Sequence, residues 1–259
     1  MTIDETSAGA LLTVDLAALK DNYRLLCKQA AGVPLAAVVK ADAYGLGAAA
    51  CVPALAEAGA ETFFVVQLAE GIAVRAALAA CGRAARVFVL LGPLPGSEPA
   101  FLQHELMPVL NSLGDIERWR AFAARQGKPL PAALHVDTGM NRLGLEPAEV
   151  ARLANEPELL SGIEVVLLMS HLACAEEAEH PLNAIQLARF QAARAHLPRA
   201  PASFANSSGL FRGPDYLFDL GRPGAALYGI NPTPAAANPM CQVAQLQARI
   251  LQVRTIDPP

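Results

Sequence analysis

The stretch "LAAVVKADAYGLGAAACVPALAEAGAETFFVVQ", residues 35–67, decides the fold. It passes from a short apolar segment through a glycine-containing loop into an alanine-rich segment of helical period, and it ends in a second apolar segment. A strand, a helix and a strand in this order predict a βαβ unit with two parallel strands.

The same alternation continues along the chain. Segments that read as helices lie at 49–59, 69–80, 113–127, 147–156 and 182–197. Segments that read as strands lie at 35–40, 62–67, 86–91, 106–111, 131–137, 163–170, 201–207 and 220–229. Eight such repeats in about 200 residues predict an α/β fold, a (β/α)8 TIM barrel.

Two segments fall outside this barrel. Residues 11–26 read as a strand that runs into a helix, and residues 241–257 alternate as one or two antiparallel strands would. We therefore predict a barrel domain at 1–232, followed at 233–259 by a linker and the start of an incomplete C-terminal β-domain. A strand without a partner is unstable by itself, so we expect the chain to stop just after a second domain has begun.

The composition excludes several classes of partner. The 259 residues carry a formal net charge of −4, and Lys and Arg form no run, so neither nucleic acid nor an anionic membrane surface is expected. The longest strongly apolar stretch, residues 165–169, is too short to span a bilayer. The N-terminus lacks the pattern of a secretory signal. We expect a cytoplasmic protein with a small-molecule substrate.

The cysteines predict neither a disulfide framework nor a metal centre. They are odd in number, widely separated and without a CxxC pair: Cys27, Cys51, Cys81, Cys174 and Cys241. We expect reduced, mostly buried thiols. The H-x-x-C pair of His171 and Cys174 is too small a ligand set to indicate zinc.

Residues with reactive or hydrogen-bonding side chains follow the predicted strands. They are Lys40, His135, Asp137, Arg142, His171, Asn206, Ser207 and Arg222. The carboxyl ends of the strands form the active-site face of a (β/α)8 barrel. We therefore expect these side chains to converge on one mouth.

Lys40 is the most informative of them. A lysine at a strand end can simply extend its ammonium group to water. Alternatively, a desolvated amine of lowered pKa can attack an aldehyde and form a Schiff base. Gly45 and Gly47 permit tight backbone turns, and the phenol of Tyr44 can reach a phosphate held near the lysine. This context favours the second interpretation.

Five motifs carry a resemblance to a known family. In chain order they are "VVKADAYGLGA" (38–48), "HVDTGMNRLG" (135–144), "MSHLACAEE" (169–177), "FANSSGLF" (204–211) and "DLGRPGAALYGINP" (219–232). From about residue 11 onward the chain resembles the alanine racemases, fold-type III enzymes that depend on pyridoxal 5′-phosphate. The resemblance implies interconversion of L-alanine and D-alanine, D-alanine biosynthesis for peptidoglycan, and a homodimer for the full-length relative.

The resemblance also implies roles for individual residues. Lys40 would carry the cofactor and act as the base on one face of the substrate α-carbon. The phosphate would be held by Tyr44, Ser207 and the backbone at Gly224 and Ala225, with Asn206 beside it. Arg142 would hydrogen-bond the phenolic oxygen of the cofactor and contact the substrate. His171 would pack near the ring and bond to Arg222.

Arg222 would face the pyridine nitrogen of the cofactor. A guanidinium keeps its own protons, so it leaves that nitrogen unprotonated and makes the ring a weaker electron sink. A carbanion that is poorly stabilised is short-lived, which favours quick reprotonation, and therefore racemisation, over competing reactions.

Two positions depart from the family pattern. Many members have a lysine, often carbamylated, where this chain has His135; Arg142 would then be oriented by His135 itself or by a bound anion. The opposing base of the family is a tyrosine from the partner's C-terminal domain, and that motif would fall beyond Pro259. None of Tyr23, Tyr44, Tyr216 and Tyr228 matches it, so we expect a truncated racemase.

Other interpretations stay open on the sequence. Arg142 and Arg222 could be structural and pair with Asp137 or Asp219, and His171 could be an ordinary core histidine. The chain could also be a single-domain carrier of pyridoxal phosphate without racemase activity. A decarboxylase or aldolase of the same fold type is disfavoured by the "DTGMNRLG" and "RPGAALYG" sequences.

Overall fold

A computed structural model describes residues 7–256. Its main element is a parallel sheet of seven strands that are neighbours in space in the same order as in sequence. These strands are β2 (Ala37–Val38), β3 (Thr62–Val65), β4 (Arg86–Val89), β5 (Met107–Leu110), β6 (Leu130–His135), β7 (Ile163–Met169) and β8 (Ala202–Ser203). Sequential parallel neighbours joined by helices are the expected product of repeated βα units.

Helices connect the strands and cover one face of the sheet. They are α1 (Leu16–Gln29), α2 (Ala48–Glu57), α3 (Leu68–Ala80), α4 (Glu98–Gln103), α5 (Leu113–Gln126), α6 (Pro147–Asn155) and α7 (Leu182–His196). Short 3₁₀ helices lie at Pro157–Leu160, Gly209–Phe211, Pro214–Tyr216 and Ala225–Tyr228. The sequence predicted all of the α-helices except α4.

The strands bury both faces, which explains their nearly continuous apolar character. On β3, Phe63 and Val65 join the core that packs against the helices. Phe64, between them, joins a second cluster on the concave side of the sheet and stacks on Phe88 with ring centres 4.8 Å apart. The buried residues of this second cluster come from the strands, their continuations and Leu220, and none comes from a covering helix, so the sheet must curl around it.

The prediction of an eighth strand at 220–229 is wrong, because these residues do not form a regular strand. Pro223 has no N–H to donate to a ladder, and a 3₁₀ helix begins at Ala225. Residues 219–223 nevertheless bond to both edges of the sheet: Arg222 N donates to Ala205 O, and Gly221 O accepts from Ala36 N. The structure shows a curled parallel α/β sheet in which an irregular segment, residues 219–223, occupies the place of the predicted eighth strand.

The first strand and the tail form a separate two-stranded sheet. β1 (Ala10–Val14) runs into α1, as predicted, and the Asp15 carboxylate caps that helix by accepting from two backbone N–H groups. β9 (Ala244–Ala248) pairs antiparallel with β1. The expectation of a tail strand without a partner is therefore wrong, because β1 supplies one. Residues 257–259 lie outside the described part of the chain, and the domain boundary at 232 stays a prediction.

The thiols are less buried than predicted. All five cysteines are free; Cys51 is buried, Cys27 and Cys174 are partly exposed, and Cys81 and Cys241 are exposed. Within residues 7–256 no group of three or more His, Cys, Asp or Glu side chains could hold a metal ion. None of the helices described is both long and apolar enough to cross a membrane.

Candidate active site

A cavity of about 280 Å³ opens at the carboxyl edge of the sheet. Of the side chains predicted to converge, those that line it are Lys40, His135, Arg142, His171, Asn206, Ser207 and Arg222; Tyr44, Gly224 and Ala225 line it as well. Asp137 is not part of the lining. Its Oδ1 instead accepts hydrogen bonds of 2.9–3.2 Å from the backbone nitrogens of the next turn.

Lys40 begins a left-handed helical turn. Ala41, Asp42 and Ala43 have φ of 52–56° and ψ of 48–52°, and Tyr44 continues the run with φ 56°. This conformation costs L-residues roughly 1–2 kcal/mol each, so it needs outside support. Glu70 Oε1 accepts from Ala41 N at 2.6 Å, and Asp42 Oδ1 accepts from Ala48 N at 2.7 Å.

The turn brings Lys40 and Tyr44 to the same cavity. The Lys40 Nζ lies 5.7 Å from the centre of the Tyr44 ring, and it has no hydrogen-bond or ion-pair partner in the described part of the chain. Burial lowers the pKa of Lys40, the nearby Arg142 cation lowers it further, and Glu70 partly opposes both. The structure therefore presents an amine with a raised neutral fraction to the cavity.

One end of the cavity has the donor set of a phosphate site. Ser207 Oγ accepts from Gly224 N at 3.0 Å and from Ala226 N at 3.1 Å, so its own O–H is free to donate. Ala225 N, at the start of a 3₁₀ helix, and the Tyr44 hydroxyl have no partner among the residues described. Three free donors at one end fit an oxyanion.

Close packing shapes this same end. A Cβ placed on Gly224 would lie 2.3 Å from Tyr44 Oη and 3.3 Å from Val38 Cβ. No real Cβ comes so close to another atom, so the absence of a side chain at position 224 is what lets the phenol stand beside the free donors. Gly224 is therefore needed for its small size and not for an unusual φ, because its φ of −128° is accessible to any residue.

Arg222 is the most buried cation of the site, with 4% of its surface exposed. Its two terminal nitrogens donate to Ser203 Oγ and to Ser170 O. Burial lowers its pKa to about 9, which leaves it protonated at neutral pH. The alternative in which Arg222 pairs with Asp219 is wrong, because Asp219 Oδ2 accepts from Ala202 N.

His171 stands in the same cluster of cations. The pKa of its imidazole is well below the ordinary value because of burial first, and then because of Arg222 and Arg142. The hydrogen bond that the resemblance implies between His171 and Arg222 is not formed in the structure; the terminal nitrogens of Arg222 donate to Ser203 and Ser170. His171 is held by its backbone: its carbonyl accepts from Gln186 Nε2 at 2.9 Å.

Three residues that support the site were missed by the sequence reasoning: Glu70, Asn111 and Gln186. Glu70 had a local signal, because it lies in the first turn of a predicted helix, where a carboxylate can accept from the backbone. Asn111 bonds to His135, and Gln186 also bonds to Thr138 and Ala173. These two act over long sequence separations and had no local signal.

The charge of the lining also favours an anion. Three cations, Lys40, Arg142 and Arg222, face the cavity together with one carboxylate, that of Glu176. The alternative in which Arg142 pairs with Asp137 is wrong, because Arg142 is exposed and has no ion-pair partner among residues 7–256. A net positive cavity of this size suits a small anionic molecule.

Comparison with known proteins finds relatives along nearly the whole chain. A family model described as "Alanine racemase, N-terminal domain" matches residues 14–232. An alanine racemase of Rhodospirillum rubrum is 54% identical over 256 residues, which cover 98% of this chain and 68% of the relative. A catabolic alanine racemase of Mesorhizobium japonicum is 52% identical over 255 residues, which cover 98% of this chain and 66% of the relative.

A solved structure is similar in fold as well. The crystal structure of an alanine racemase from Bartonella henselae with covalently bound pyridoxal phosphate superposes with a TM-score of 0.91 at 41% identity, and the match covers 96% of this chain and 72% of that one. The chain spans about two thirds of the length of the curated relatives it matches.

Proposed function

The chain belongs to the alanine racemase family, and from this premise we propose that the protein interconverts L-alanine and D-alanine with pyridoxal 5′-phosphate as its cofactor. One observation carries the proposal. An amine of lowered pKa, Lys40, faces the same cavity as the three free donors of a phosphate site. The relatives that match over nearly the whole chain are named alanine racemases, which supports a racemase over a carrier of the cofactor.

The residues present fit the cofactor. Ser207, Ala225 and Tyr44 would hold its phosphate through the donors that have no partner in the described chain, and Asn206 lines the cavity beside them. Gly224 leaves the room that a Cβ would fill. Lys40 is the amine for the covalent link, and Arg222 would donate to the pyridine nitrogen.

When bound, the cofactor supplies an aldehyde that links to amines and a conjugated ring that withdraws electrons from the α-carbon of the substrate. Once the amino group of the substrate has replaced Lys40 in the covalent link, the freed Nζ would take a proton from that carbon, or return one, on a single face. Its lowered pKa matters because a protonated amine cannot act as a base. The positive charge of Arg142 both keeps this pKa low and attracts the carboxylate of the substrate.

Arg222 sets the outcome of the reaction. Its guanidinium remains protonated at neutral pH, and its hydrogen bonds to Ser203 and Ser170 hold it in one orientation. With the cofactor bound, a donor that does not give up its proton would leave the ring nitrogen uncharged, which would favour a quick return of a proton to the α-carbon. His171, kept neutral by burial and by the neighbouring cations, would lie near the ring without adding a fourth positive charge.

We propose that residues 219–223 close a (β/α)8 barrel, supported by their backbone bonds to both sheet edges. Free cysteines support a cytoplasmic location. Homodimerisation and D-alanine supply for peptidoglycan rest on the family, and sedimentation and rescue of a D-alanine auxotroph test them.

The test of the proposed activity follows the proton at the α-carbon. The purified chain is mixed with pyridoxal phosphate and L-alanine in deuterated water, and NMR and chiral chromatography measure exchange and D-alanine. Exchange at the α-carbon is the expected result. Deuterated D-alanine supports racemisation by this chain, and exchange with retained configuration shows that only the face served by Lys40 is active. Borohydride trapping followed by peptide sequencing should place the cofactor on Lys40. A cofactor trapped on Lys40 with neither exchange nor D-alanine would contradict the racemase and indicate a carrier.

A further inference from the structure

His135 lies at the end of β6 and lines the cavity, and the side of its ring that faces away from the cavity is hydrogen-bonded to Asn111. Its Nδ1 is 2.8 Å from Oδ1 of Asn111, the residue that follows β5. Both residues are buried, with 7% of each exposed. Asn111 is not part of the cavity lining, so the imidazole stands between the asparagine and the cavity, with Nε2 on the far side of the ring from Asn111.

The orientation of the Asn111 amide follows from its other partners. Its Nδ2 donates to Leu90 O at 2.9 Å and to Val109 O at 3.0 Å. Both partners are carbonyl oxygens, which only accept, so the NH₂ group must face them and the amide oxygen must face His135. An amide oxygen cannot donate. The hydrogen of this bond therefore belongs to Nδ1 of the imidazole.

The ring carries a single hydrogen. Burial, Arg222 and Arg142 lower the pKa of His135 to about 3, against the smaller opposing effect of Asp137. A neutral imidazole with its hydrogen on Nδ1 has a lone pair on Nε2 and is an acceptor there. Near neutral pH this acceptor does not change its charge.

Two guanidinium groups, those of Arg222 and Arg142, act on the ring through their charge. Arg222 donates to Ser203 and Ser170, and Arg142 lines the same cavity without a hydrogen-bond or ion-pair partner in the described part of the chain. Neither guanidinium is hydrogen-bonded to Nε2 among the residues described, so this acceptor is left for a donor that enters the cavity.

We propose that Asn111 is a positioning residue that fixes His135 as the Nδ1–H tautomer, so that His135 offers Nε2 to the cavity as a hydrogen-bond acceptor. The value of this arrangement for catalysis rests on the proposed racemase function. The tautomer itself does not, since it follows from hydrogen bonds of the chain alone.

The direct test is NMR of the purified chain with ¹⁵N-labelled histidine, without cofactor, near neutral pH. We expect the His135 Nδ1 resonance in the protonated range and the Nε2 resonance in the unprotonated range, assigned by comparison with a His135→Gln sample. An Nε2–H tautomer, or a doubly protonated ring, overturns the proposal. This measurement needs no turnover, so a chain that fails to racemise alanine does not affect its outcome.

Variants at Asn111 test whether this residue selects the tautomer of His135. In Asn111→Asp the carboxylate still accepts from Nδ1, so the tautomer should persist while the protonation midpoint of His135 moves up. In Asn111→Leu the acceptor is lost, and an Nε2–H population should appear. Asn22→Asp is the matched control, because Asn22 is buried and donates to two backbone carbonyls away from the cavity, and it should leave the His135 resonances unchanged.

The outcomes are separable even when a variant is unstable. If Asn111→Leu does not fold, as judged by circular dichroism, the Asn111→Asp sample and the wild type decide the matter. A tautomer that persists in folded Asn111→Leu overturns the role of Asn111.

The role of the neighbouring cation is tested separately. Arg142→Met and Arg83→Met, which removes an exposed arginine, should both keep the hydrogen on Nδ1. A shift of the hydrogen to Nε2 in Arg142→Met overturns the assignment of the tautomer to Asn111. Cofactor affinity and racemisation of the same samples then report on the proposed function independently.

Discussion

Glu70 Oε1 accepts a 2.6 Å hydrogen bond from the backbone nitrogen of Ala41, the residue that follows Lys40. The other oxygen of the same carboxylate accepts from Val66 N and Gln67 N. One side chain on α3 therefore joins the end of β3 to the left-handed turn that carries the lysine. The conformation of that turn is maintained by a residue 29 positions away.

Replacing Glu70 by alanine should destabilise the turn. Hydrogen bonds to a charged acceptor contribute about 1.5–3 kcal/mol, so we expect the free energy of unfolding to fall by roughly 2 kcal/mol and cofactor affinity to fall about tenfold. Urea unfolding and absorbance titration measure the two effects. Glu57→Ala, which breaks only the exposed pair with Lys20, is the control; equal effects of the two variants would show that Glu70 does not support the turn.

Gly224→Ala should weaken cofactor binding because the new Cβ must displace the phenol of Tyr44. Overpacking of this kind costs about 1–3 kcal/mol, which corresponds to a loss of affinity of roughly 10- to 100-fold. Gly114→Ala is the matched control, since a Cβ there meets only ordinary contacts at 3.7 Å. A Gly224→Ala variant with wild-type affinity for pyridoxal phosphate would exclude this end of the cavity as the phosphate site.

Arg142→Met should move the formation of the adduct between Lys40 and the cofactor toward higher pH. The Arg142 cation lowers the pKa of Lys40, so its removal raises that pKa, and the neutral amine that condenses with the cofactor appears only at higher pH. The rate of adduct formation, trapped with borohydride at a series of pH values, measures the shift. Arg83→Met should leave the profile in place. A shift toward lower pH in Arg142→Met would contradict the electrostatic assignment.

His135 should make the protein less stable in acid. Its pKa is about 3 in the folded state and 6.5 ordinarily, so below pH 6.5 the unfolded chain binds a proton that the folded chain does not. The free energy of unfolding should then fall by about 1.4 kcal/mol per pH unit as the pH drops from 6.5 toward 3. Urea unfolding should show a shallower dependence on pH for His135→Gln than for the wild type; equal slopes would contradict this role of His135.

Much of the fold could be predicted because its signals are local. The strands β2 to β8 and five of the connecting helices appear as apolar runs and helical periods within windows of 6–16 residues, about the range over which such patterns are read. The eighth strand failed for a local reason as well: Pro223 and the 3₁₀ helix after it interrupt an otherwise apolar run. The pairing of β9 with β1 could not be foreseen, because alternation indicates a strand but not its partner.

The sequence predicted which residues line the candidate site but not which contacts they make. Lys40, Tyr44, Arg142, His171, Ser207 and Arg222 line one cavity, yet the expected bond of His171 with Arg222 is absent, as are the two alternative pairs, Arg142 with Asp137 and Arg222 with Asp219. In each case a backbone group competes for the same polar atoms. Asp137 and Asp219 accept from backbone nitrogens, and Arg222 donates to the carbonyl of Ser170.

The sequence by itself determined the order of the strands, the family and the identity of the groups at the strand ends, because periodicity and motif are properties of neighbouring residues. The tertiary structure alone decided how those groups are held. Glu70 on the turn after Lys40, Asn111 on His135, and Ser170 on Arg222 act across 29, 24 and 52 positions. Such bonds form only where folding brings distant polar atoms within about 3 Å in a buried place, and no local pattern records that distance.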